Sequence, residues 1–328
     1  MTPQAVLAIH GGAGEIVRGA FSSEAEREFR DALDAILEQG SRALARGATA
    51  LDVVTQAVVM LEDCPLFNAG RGAAYTSAGT HELDAAIMNG STRAAGAVAC
   101  VQGVRNPVLG ARMVMEDSPH VLMVGEGATA FLRERGAIFE PESYFHSERR
   151  LAQLREAREK GVFGMLAEQE AGRIVPPLSP LDERTKMGTV GAVALDRNGR
   201  LASAASTGGL TNKLPGRVGD TPVIGAGCHA DENVAVACTG MGEMFIRLGV
   251  AGGVAARIRH GGASLEAAAT EAIAEVGRLG GKGGLIAVDR AGGVILPFNS
   301  GGMYRGWTRS EGARHVAIYG DEDMAGRA

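Results

Sequence analysis

Residues 188–207 read Gly-Thr-Val-Gly-Ala-Val-Ala-Leu-Asp-Arg-Asn-Gly-Arg-Leu-Ala-Ser-Ala-Ala-Ser-Thr. Small apolar residues fill Thr189–Leu195 and Leu201–Thr207, and residues 196–199 between them end in glycine. Short apolar runs joined by a turn of this kind are typical of a β-hairpin. The sequence therefore predicts a buried hairpin whose first residue is Thr189.

The residues before this hairpin are of a different kind. From about Glu140 to Lys186 the chain is polar and contains the breaker pair Pro176-Pro177. A polar tail that runs directly into a buried strand at a threonine suggests that the bond between Gly188 and Thr189 is cut. The freed threonine would carry a hydroxyl and an α-amine, so one residue could act as both nucleophile and base. The alternative is a domain boundary, with a linker that leads into an ordinary strand.

Composition and charge exclude several classes of partner. The chain has 328 residues and a net charge of −5 without a basic run, so nucleic acids and anionic membranes are poor partners. The N-terminal stretch lacks the basic and apolar regions of a signal segment, and no later stretch resembles a membrane span. The four cysteines form no CxxC pair, which indicates reduced thiols and no zinc site. We expect a cytoplasmic enzyme.

Helices and strands are predicted on both sides of the polar tail. Besides the hairpin, strands are predicted at residues 5–9, 82–88, 94–101, 121–124, 284–289, 293–298 and 315–319. Helices are predicted at residues 23–46, 49–61, 107–116, 128–135, 147–160, 245–259 and 264–279, and residues 168–187 are predicted to be irregular. Grouped hairpins with helices before and after them fit two stacked antiparallel sheets covered by helices.

Four blocks of sequence carry a family resemblance. They are His10-Gly-Gly-Ala-Gly14, Met187–Leu195, Cys238-Thr-Gly-Met-Gly-Glu243, and Ser206–Asp220, which reads Ser-Thr-Gly-Gly-Leu-Thr-Asn-Lys-Leu-Pro-Gly-Arg-Val-Gly-Asp. These blocks resemble the plant-type (type III) L-asparaginases, also called isoaspartyl peptidases, and follow the family's order across nearly the whole chain. The resemblance implies an α+β fold, the four-layer αββα sandwich of the N-terminal nucleophile (Ntn) hydrolases.

The resemblance also implies processing and a reaction. A single domain would be cleaved into residues 1–188, with a flexible tail from about 140 to 188, and residues 189–328. Thr189 would attack L-asparagine or β-aspartyl dipeptides, with no cofactor for catalysis, and two processed units would form a homodimer. The alternatives are the related glycosylasparaginase, which activity on glycosylated asparagine would reveal, and a binding protein that keeps the fold without turnover.

Candidate catalytic residues lie at the ends of predicted strands. Thr207 could orient the Thr189 hydroxyl, although an ordinary β-branched strand residue is the plainer interpretation. The Thr239 hydroxyl and the Gly240 backbone N–H could stabilise a tetrahedral oxyanion. Asn68 could approach the nucleophile and bind substrate.

Arg217 and Asp220 make a complementary pair for a free amino acid. A guanidinium group matches an α-carboxylate, and a carboxylate matches an α-ammonium group. The alternative is a surface ion pair between the two side chains.

Two glycine-rich segments leave alternatives open. His10–Gly14 follows a predicted strand and could present backbone N–H groups to an anion, or form a tight turn under the site. Residues 222–230 imitate a dinucleotide fingerprint, but the sequence after them predicts a turn and a strand, whereas the fingerprint must open a helix.

The loop at residues 61–72 has no side-chain metal signature. The family resemblance nevertheless implies a structural sodium ion bound there by backbone carbonyls. The corresponding residues are Leu61, Glu62, Cys64, Phe67, Ala69 and Arg71. Met241 and Ser300–Gly302 depart from the family pattern and leave substrate preference open.

Overall fold

The computed structural model of the protein describes residues 4–19, 22–161, 188–310 and 312–322. The predicted hairpin is present as β5 (Val190–Leu195) and β6 (Leu201–Thr207), which pair antiparallel. The Asp196 side chain accepts hydrogen bonds from the backbone N–H groups of Asn198 and Arg200, at 2.8 and 3.1 Å, and so stabilises the turn. The prediction of a buried hairpin is confirmed.

The hairpin lies in the middle of an eight-stranded sheet. The other strands of this sheet are β1 (Val6–Gly14), β2 (Leu83–Asn89), β3 (Ala95–Val101), β4 (Leu122–Val124), β11 (Gly302–Arg309) and β12 (Arg314–Tyr319). Their order is β12-β11-β1-β5-β6-β2-β3-β4. Only the β3–β4 pair is parallel.

A second sheet of four strands stacks on the first. Its strands are β7 (Cys228–Ala230), β8 (Val234–Gly240), β9 (Gly283–Asp289) and β10 (Val294–Ile295), in the order β10-β9-β8-β7. All of its pairs are antiparallel.

Helices cover the outer face of each sheet. The helices are α1 (Ser23–Ala45), α2 (Ala50–Asp63), α3 (Pro107–Asp117), α4 (Gly125–Glu134), α5 (Glu142–Phe145), α6 (Glu148–Glu159), α7 (Gly242–Leu248), α8 (Val250–Gly261) and α9 (Leu265–Arg278). Helices α1 to α4 contact the eight-stranded sheet, whereas α8 and α9 contact the four-stranded sheet. In the described ranges, no helix is both long enough and apolar enough to cross a membrane.

Alternation of side chains along the strands builds three apolar layers. On β5, Val190 and Ala192 pack against the helices, while Val193 and Leu195 pack between the two sheets. On β8, Ala237 lies between the sheets, and its neighbours on either side pack against α7 to α9. Successive strand residues point to opposite faces, so a two-residue period produces this division. The four-layer αββα sandwich and the α+β class are confirmed.

Polar side chains cap the first two helices. Thr49 caps α2 by accepting from the Asp52 N–H at 3.2 Å, and its hydroxyl donates to the Asp52 carboxylate at 2.7 Å. Helix α1 begins at Ser23, as predicted, and Ser22 caps it by accepting from the Ala25 N–H at 3.1 Å.

Several elements differ from the prediction. The segment His10–Gly14 is neither a turn nor a loop but the second half of β1. The helix predicted over 245–259 is two helices, because Gly249 has a φ of 57° and ends α7 in the left-handed conformation. Strand β11 was not predicted; it pairs with both β1 and β12.

Part of the polar stretch is helical. Helices α5 and α6 occupy residues 142–159, and they bury Phe145, Arg150 and Gln153. The helix predicted at residues 147–160 is present as α6, and the flexible tail predicted from about 140 to 188 stays a prediction. The irregular segment predicted at 168–187 lies outside the described residues.

Candidate active site

Three threonines project into the gap between the sheets at one end. Along a strand, side chains an even number of residues apart point to the same face. Thr189 and Thr207 are each an even number of residues from side chains on β5 and β6 that pack between the sheets, so both threonines point into the same gap. The register that pairs Val190 with Ser206 makes Thr189 and Thr207 neighbours. Thr239 near the end of β8 shares the face of Ala237, which packs between the sheets.

A small pocket opens at this end of the gap. Its walls are Gly188, Thr189, Thr207, Gly209, Leu210, Arg217, Gly219, Asp220, Thr221, Gly240 and Gly242. Six of these residues were predicted from the sequence as site residues: Gly188, Thr189, Thr207, Arg217, Asp220 and Gly240. The fold thus brings together positions up to 52 residues apart in the sequence.

The Thr189 hydroxyl contacts a residue that the sequence analysis missed. Its Oγ1 atom lies 3.4 Å from Oγ1 of Thr221, and both residues are buried. Thr207 Oγ1 instead accepts a hydrogen bond from the Gly209 N–H at 2.9 Å. The role predicted for Thr207 toward the nucleophile stays a prediction.

Both members of the predicted oxyanion group are buried, and one of them lines the pocket. Gly240 lines the pocket with a φ of 137°, and a Cβ there would lie 2.4 Å from the Lys282 carbonyl oxygen. Only glycine fits such a backbone. Thr239 is fully buried beneath it, and its Oγ1 accepts a hydrogen bond from the Ala13 N–H at 3.3 Å.

Arg217 is held by an acidic residue, but not by Asp220. Its Nε and Nη2 atoms donate to Oε1 of Glu243, at 2.9 and 2.7 Å. The proposed surface pair between Arg217 and Asp220 is therefore absent from the described residues. Glu243 lies in the first turn of α7, and no local pattern in the sequence indicates its partner. Its pairing with Arg217 needs the tertiary fold.

Asp220 is the most perturbed carboxyl group in the pocket. Only 2% of the residue is exposed, and among the described residues its Oδ2 atom has no hydrogen-bond partner. Burial raises the pKa of Asp220 to about 7, against the opposing effect of the Arg217 charge. A buried carboxylate without a partner is costly, so a cation that entered the pocket would relieve this cost.

Asn68 braces the pocket from behind. Its Nδ2 donates to the Gly209 carbonyl at 2.7 Å, and its Oδ1 accepts from the Ala74 N–H at 2.8 Å. A Cβ at Gly188 would lie 3.8 Å from the Asn68 Cβ, so the side chain approaches the predicted cleavage site. Asn68 is not among the residues that line the pocket, and its predicted substrate contact stays a prediction.

His10 lies under the start of β5. It pairs with Gly191 across the β1–β5 ladder and is fully buried. Burial lowers the pKa of His10 to about 3, and the backbone of Thr189 acts weakly in the opposite direction. The imidazole is therefore neutral at physiological pH and adds no charge beneath the pocket.

The two departures from the family pattern do not reach the pocket lining. Met241 is buried, and its side chain packs in the layer between the four-stranded sheet and its helices. The Ser300 hydroxyl donates to the Gly302 carbonyl within its own loop.

The loop after α2 offers backbone oxygens to a cation. Leu61 and Glu62 lie in the last turn of α2, where helix carbonyls lack intrahelical partners. A Cβ at Gly72 would lie 2.0 Å from the Phe67 carbonyl oxygen, and one at Gly70 would lie 2.6 Å from that of Glu62. A side chain on either glycine would therefore clash with one of these carbonyl oxygens, and oxygen atoms are the ligands that hard cations take.

No group of His, Cys, Asp and Glu side chains suits a metal in the part of the chain that the structure describes. Ligation at the loop would therefore rest on backbone carbonyls.

A four-layer αββα sandwich with a threonine immediately before a buried central strand is typical of the Ntn-hydrolase class. Sequence comparison gives the family within this class. A profile of the asparaginase family matches residues 3–318, and the chain belongs to this family.

Named relatives cover almost the whole chain. An isoaspartyl peptidase of Salmonella typhimurium is 54% identical over 96% of this chain and 99% of its own length. An isoaspartyl peptidase of Escherichia coli is 52% identical over 96% of both chains. A plant-type L-asparaginase of Pyrococcus horikoshii is 40% identical over 90% of this chain and 93% of its own.

Proposed function

We propose that this protein is an autoprocessing amidohydrolase. It would hydrolyse β-aspartyl dipeptides and the side-chain amide of L-asparagine through Thr189. The observation that carries the proposal is the position of Thr189, which immediately precedes a buried strand and lines one pocket with Arg217 and Asp220. The names of the relatives support the same pair of substrates.

The first reaction is cleavage of the chain itself. The Thr189 hydroxyl adds to the Gly188 carbonyl carbon, the C–N bond breaks, and the hydroxyl proton passes to the nitrogen. This leaves an ester between Gly188 and Thr189 and a free α-amine. Water then hydrolyses the ester, which releases the Gly188 carboxylate and restores the Thr189 hydroxyl.

The second reaction uses the new chain end. The free amine accepts the proton from the Thr189 hydroxyl as the hydroxyl attacks the side-chain carbonyl of the substrate. The Gly240 N–H, with Thr239 behind it, would stabilise the oxyanion, an effect worth about 2.7–4 kcal/mol per donor in comparable sites. The protonated amine gives its proton to the leaving nitrogen, and water hydrolyses the acyl-enzyme.

Arg217 and Asp220 would bind the two charges of the substrate's aspartyl group. The guanidinium of Arg217 matches the α-carboxylate. The buried Asp220 would pair with the α-ammonium group, which supplies the partner that its Oδ2 atom lacks. Glu243 orients Arg217 through its two hydrogen bonds.

A sodium ion in the loop after α2 would affect the pocket only indirectly. The proposed ligands are the carbonyls of Leu61, Glu62, Cys64, Phe67, Ala69 and Arg71. The ion would stabilise the loop, and Asn68 in the same loop braces Gly209 at the pocket.

Purified protein tests the proposal directly. A denaturing gel should show two chains, and N-terminal sequencing of the smaller should begin Thr189-Val190-Gly191. Thr189→Ala should remain a single chain because it lacks the attacking hydroxyl. The processed protein should hydrolyse β-Asp-Leu and L-asparagine. Full-length wild type with activity would contradict the cleavage step, and cleaved protein without turnover of either substrate would favour a binding protein.

A further inference from the structure

Cleavage of the Gly188–Thr189 bond needs a group that holds the Thr189 hydroxyl, because the uncleaved chain has no free amine at Thr189. Before cleavage the nitrogen of Thr189 is an amide, whose lone pair is delocalised into the carbonyl, so it cannot accept the hydroxyl proton as an amine can. The hydroxyl must then be held for attack by a neighbouring group. The hydrogen-bond partner that the structure gives Thr189 Oγ1 is Thr221 Oγ1, at 3.4 Å.

We propose that Thr221 is a positioning residue that orients the Thr189 hydroxyl for cleavage of the Gly188–Thr189 bond. The inference rests on the proposed function. Thr221 accepts the hydrogen bond without taking the proton, so the transfer of this proton from oxygen to nitrogen stays balanced as described above. In the processed enzyme the same contact would hold the hydroxyl beside the new amine.

The backbone around Thr221 is rigid enough for this task. Thr221 is 1% exposed and precedes Pro222, which restricts its backbone to extended conformations. The Val223 N–H donates to the Asp220 carbonyl at 3.0 Å and closes a turn around Thr221. A Cβ at Gly227 would lie 2.5 Å from the same carbonyl oxygen, so the turn is packed from behind.

Position in the pocket favours Thr221 over Thr207 for the uncleaved chain. Both residues line the pocket. The Thr207 oxygen already accepts the Gly209 N–H at 2.9 Å, whereas the hydroxyl of Thr221 meets that of Thr189. Because either hydroxyl can donate in this contact, Thr221 can adapt to Thr189 before and after cleavage.

The test follows cleavage over time after cell-free synthesis. Thr221→Val keeps the shape of the side chain and removes the hydroxyl, and Thr221→Ser keeps the hydroxyl. Loss of one neutral hydrogen bond should slow cleavage by about tenfold in the Val variant, with Ser close to wild type. Thr55→Val is a matched control, because Thr55 is a buried threonine on α2 away from the pocket.

A second readout separates positioning from a merely structural role. In protein that has completed cleavage, Thr221→Val should lower kcat and leave KM nearly unchanged. Circular dichroism checks folding, and if Thr221→Val is unfolded, Thr221→Ala is judged by the same criteria. Wild-type cleavage rate and kcat in the hydroxyl-free variant would overturn the role of Thr221 alone. Wild type that never cleaves would instead overturn the proposed function.

Discussion

Asp220 combines a cost in stability with a benefit in binding. Its carboxyl group is buried, its pKa is raised to about 7, and its Oδ2 atom lacks a partner in the described ranges. Because the folded state holds this proton up to a higher pH than the unfolded chain does, Asp220 lowers the stability of the fold as pH rises from about 4 to 7. A substrate ammonium group would favour the ionised form, so binding and folding place opposite demands on one residue.

Asp220→Asn should therefore stabilise the protein at alkaline pH. At pH 8 we expect the free energy of unfolding of Asp220→Asn to exceed that of the wild type by at most about 4 kcal/mol, at about 1.4 kcal/mol per pKa unit. Below about pH 4 the difference should vanish. Thermal unfolding at pH 4 and pH 8 measures it, in a Thr189→Ala background that keeps both proteins uncleaved. The exposed Asp321→Asn is the control and should show no gain, because Arg18 favours its ionised form. Equal pH dependence of wild type and Asp220→Asn would contradict the assignment.

Arg217 should distinguish two isomeric dipeptides. In β-Asp-Leu the aspartyl α-carboxylate is free, whereas in α-Asp-Leu it is tied up in the amide bond and cannot satisfy the guanidinium. Sites built to bind a polar group of the substrate reject an analogue that lacks this group by about 10⁴-fold or more. The measurement is kcat/KM for both dipeptides.

Substitutions at Arg217 give the complementary evidence. Arg217→Ala should lose most activity on β-Asp-Leu, and Arg217→Lys should restore only part of it, because an ammonium group cannot make two parallel hydrogen bonds. Comparable cleavage of the two dipeptides by wild type, or unimpaired variants, would remove this assignment.

At the scale of the element, the hairpin β5–β6 depends on small side chains. A Cβ at Gly191 would lie 2.4 Å from Nε2 of His10 and 2.9 Å from the Cβ of Ala237 on the facing sheet. His10 is fully buried, so it has little room to move. The close approach of the two sheets beneath the pocket therefore requires glycine at this position.

Gly191→Ala should destabilise the fold, by about 1–3 kcal/mol as for other overpacked cores. Gly127→Ala is a matched control, because Gly127 lies in α4 with no atom within 4 Å of the added Cβ. There the same change should stabilise the helix by up to about 1 kcal/mol. Urea unfolding of both variants in the uncleavable background measures the difference. A neutral Gly191→Ala would mean that the sheets can separate without cost.

A sodium ion bound in the loop after α2 should raise the thermal stability of the protein. At equal ionic strength, the melting temperature should be higher in sodium chloride than in choline chloride, because the organic cation is too large for the carbonyls around Gly70 and Gly72. The readout is thermal unfolding of Thr189→Ala protein, which does not depend on activity. Identical melting temperatures would argue against a bound ion.

Local patterns in the sequence account for most elements but not for their breaks. Apolar periodicity continues on both sides of Gly249, so the sequence predicted one helix where a left-handed residue separates two. His10–Gly14 reads as a loop because of its three glycines, yet pairing with β11 makes it a strand. In each case a tertiary contact or one backbone angle overrides the local pattern.

The residues of the candidate site divide in the same way, into those that a local sequence pattern indicates and those that only the fold identifies. Thr189, Arg217 and Asp220 could be singled out from the sequence because hydroxyl and charge have few uses in a small-residue hairpin or a glycine-rich loop. Glu243 and Thr221 could not, since each contacts a partner that is distant in the sequence. Glu243 lies 26 residues from Arg217, and Thr221 lies 32 residues from Thr189.

At the scale of the whole molecule, the proposed cut divides an interleaved sheet. Residues before it contribute β1 to β4, and residues after it contribute β5, β6, β11 and β12 to the same sheet. Strand β1 lies between β5 and β11, and β6 pairs with β2. Separation of the two chains would therefore break three strand pairs in the middle of the sheet.

The processed chains should consequently stay together. We expect both to elute as one peak in native size-exclusion chromatography and to separate only in denaturant, with a single unfolding transition. Thr189→Ala protein serves as the intact reference. Loss of either chain from the native peak would contradict the interleaved arrangement.

The interleaving of β1 between β5 and β11 also has a consequence for timing. While the chain is continuous, β1 reaches its place by an intramolecular search, at the high effective concentration that a covalent connection gives. Chains cut before folding would have to find each other by diffusion, with unpaired strand edges exposed to aggregation meanwhile. If the Thr189 hydroxyl attacks only after the hairpin has folded, as we propose, the cut would wait until this search is complete. The connection between the two halves would then be needed for assembly alone.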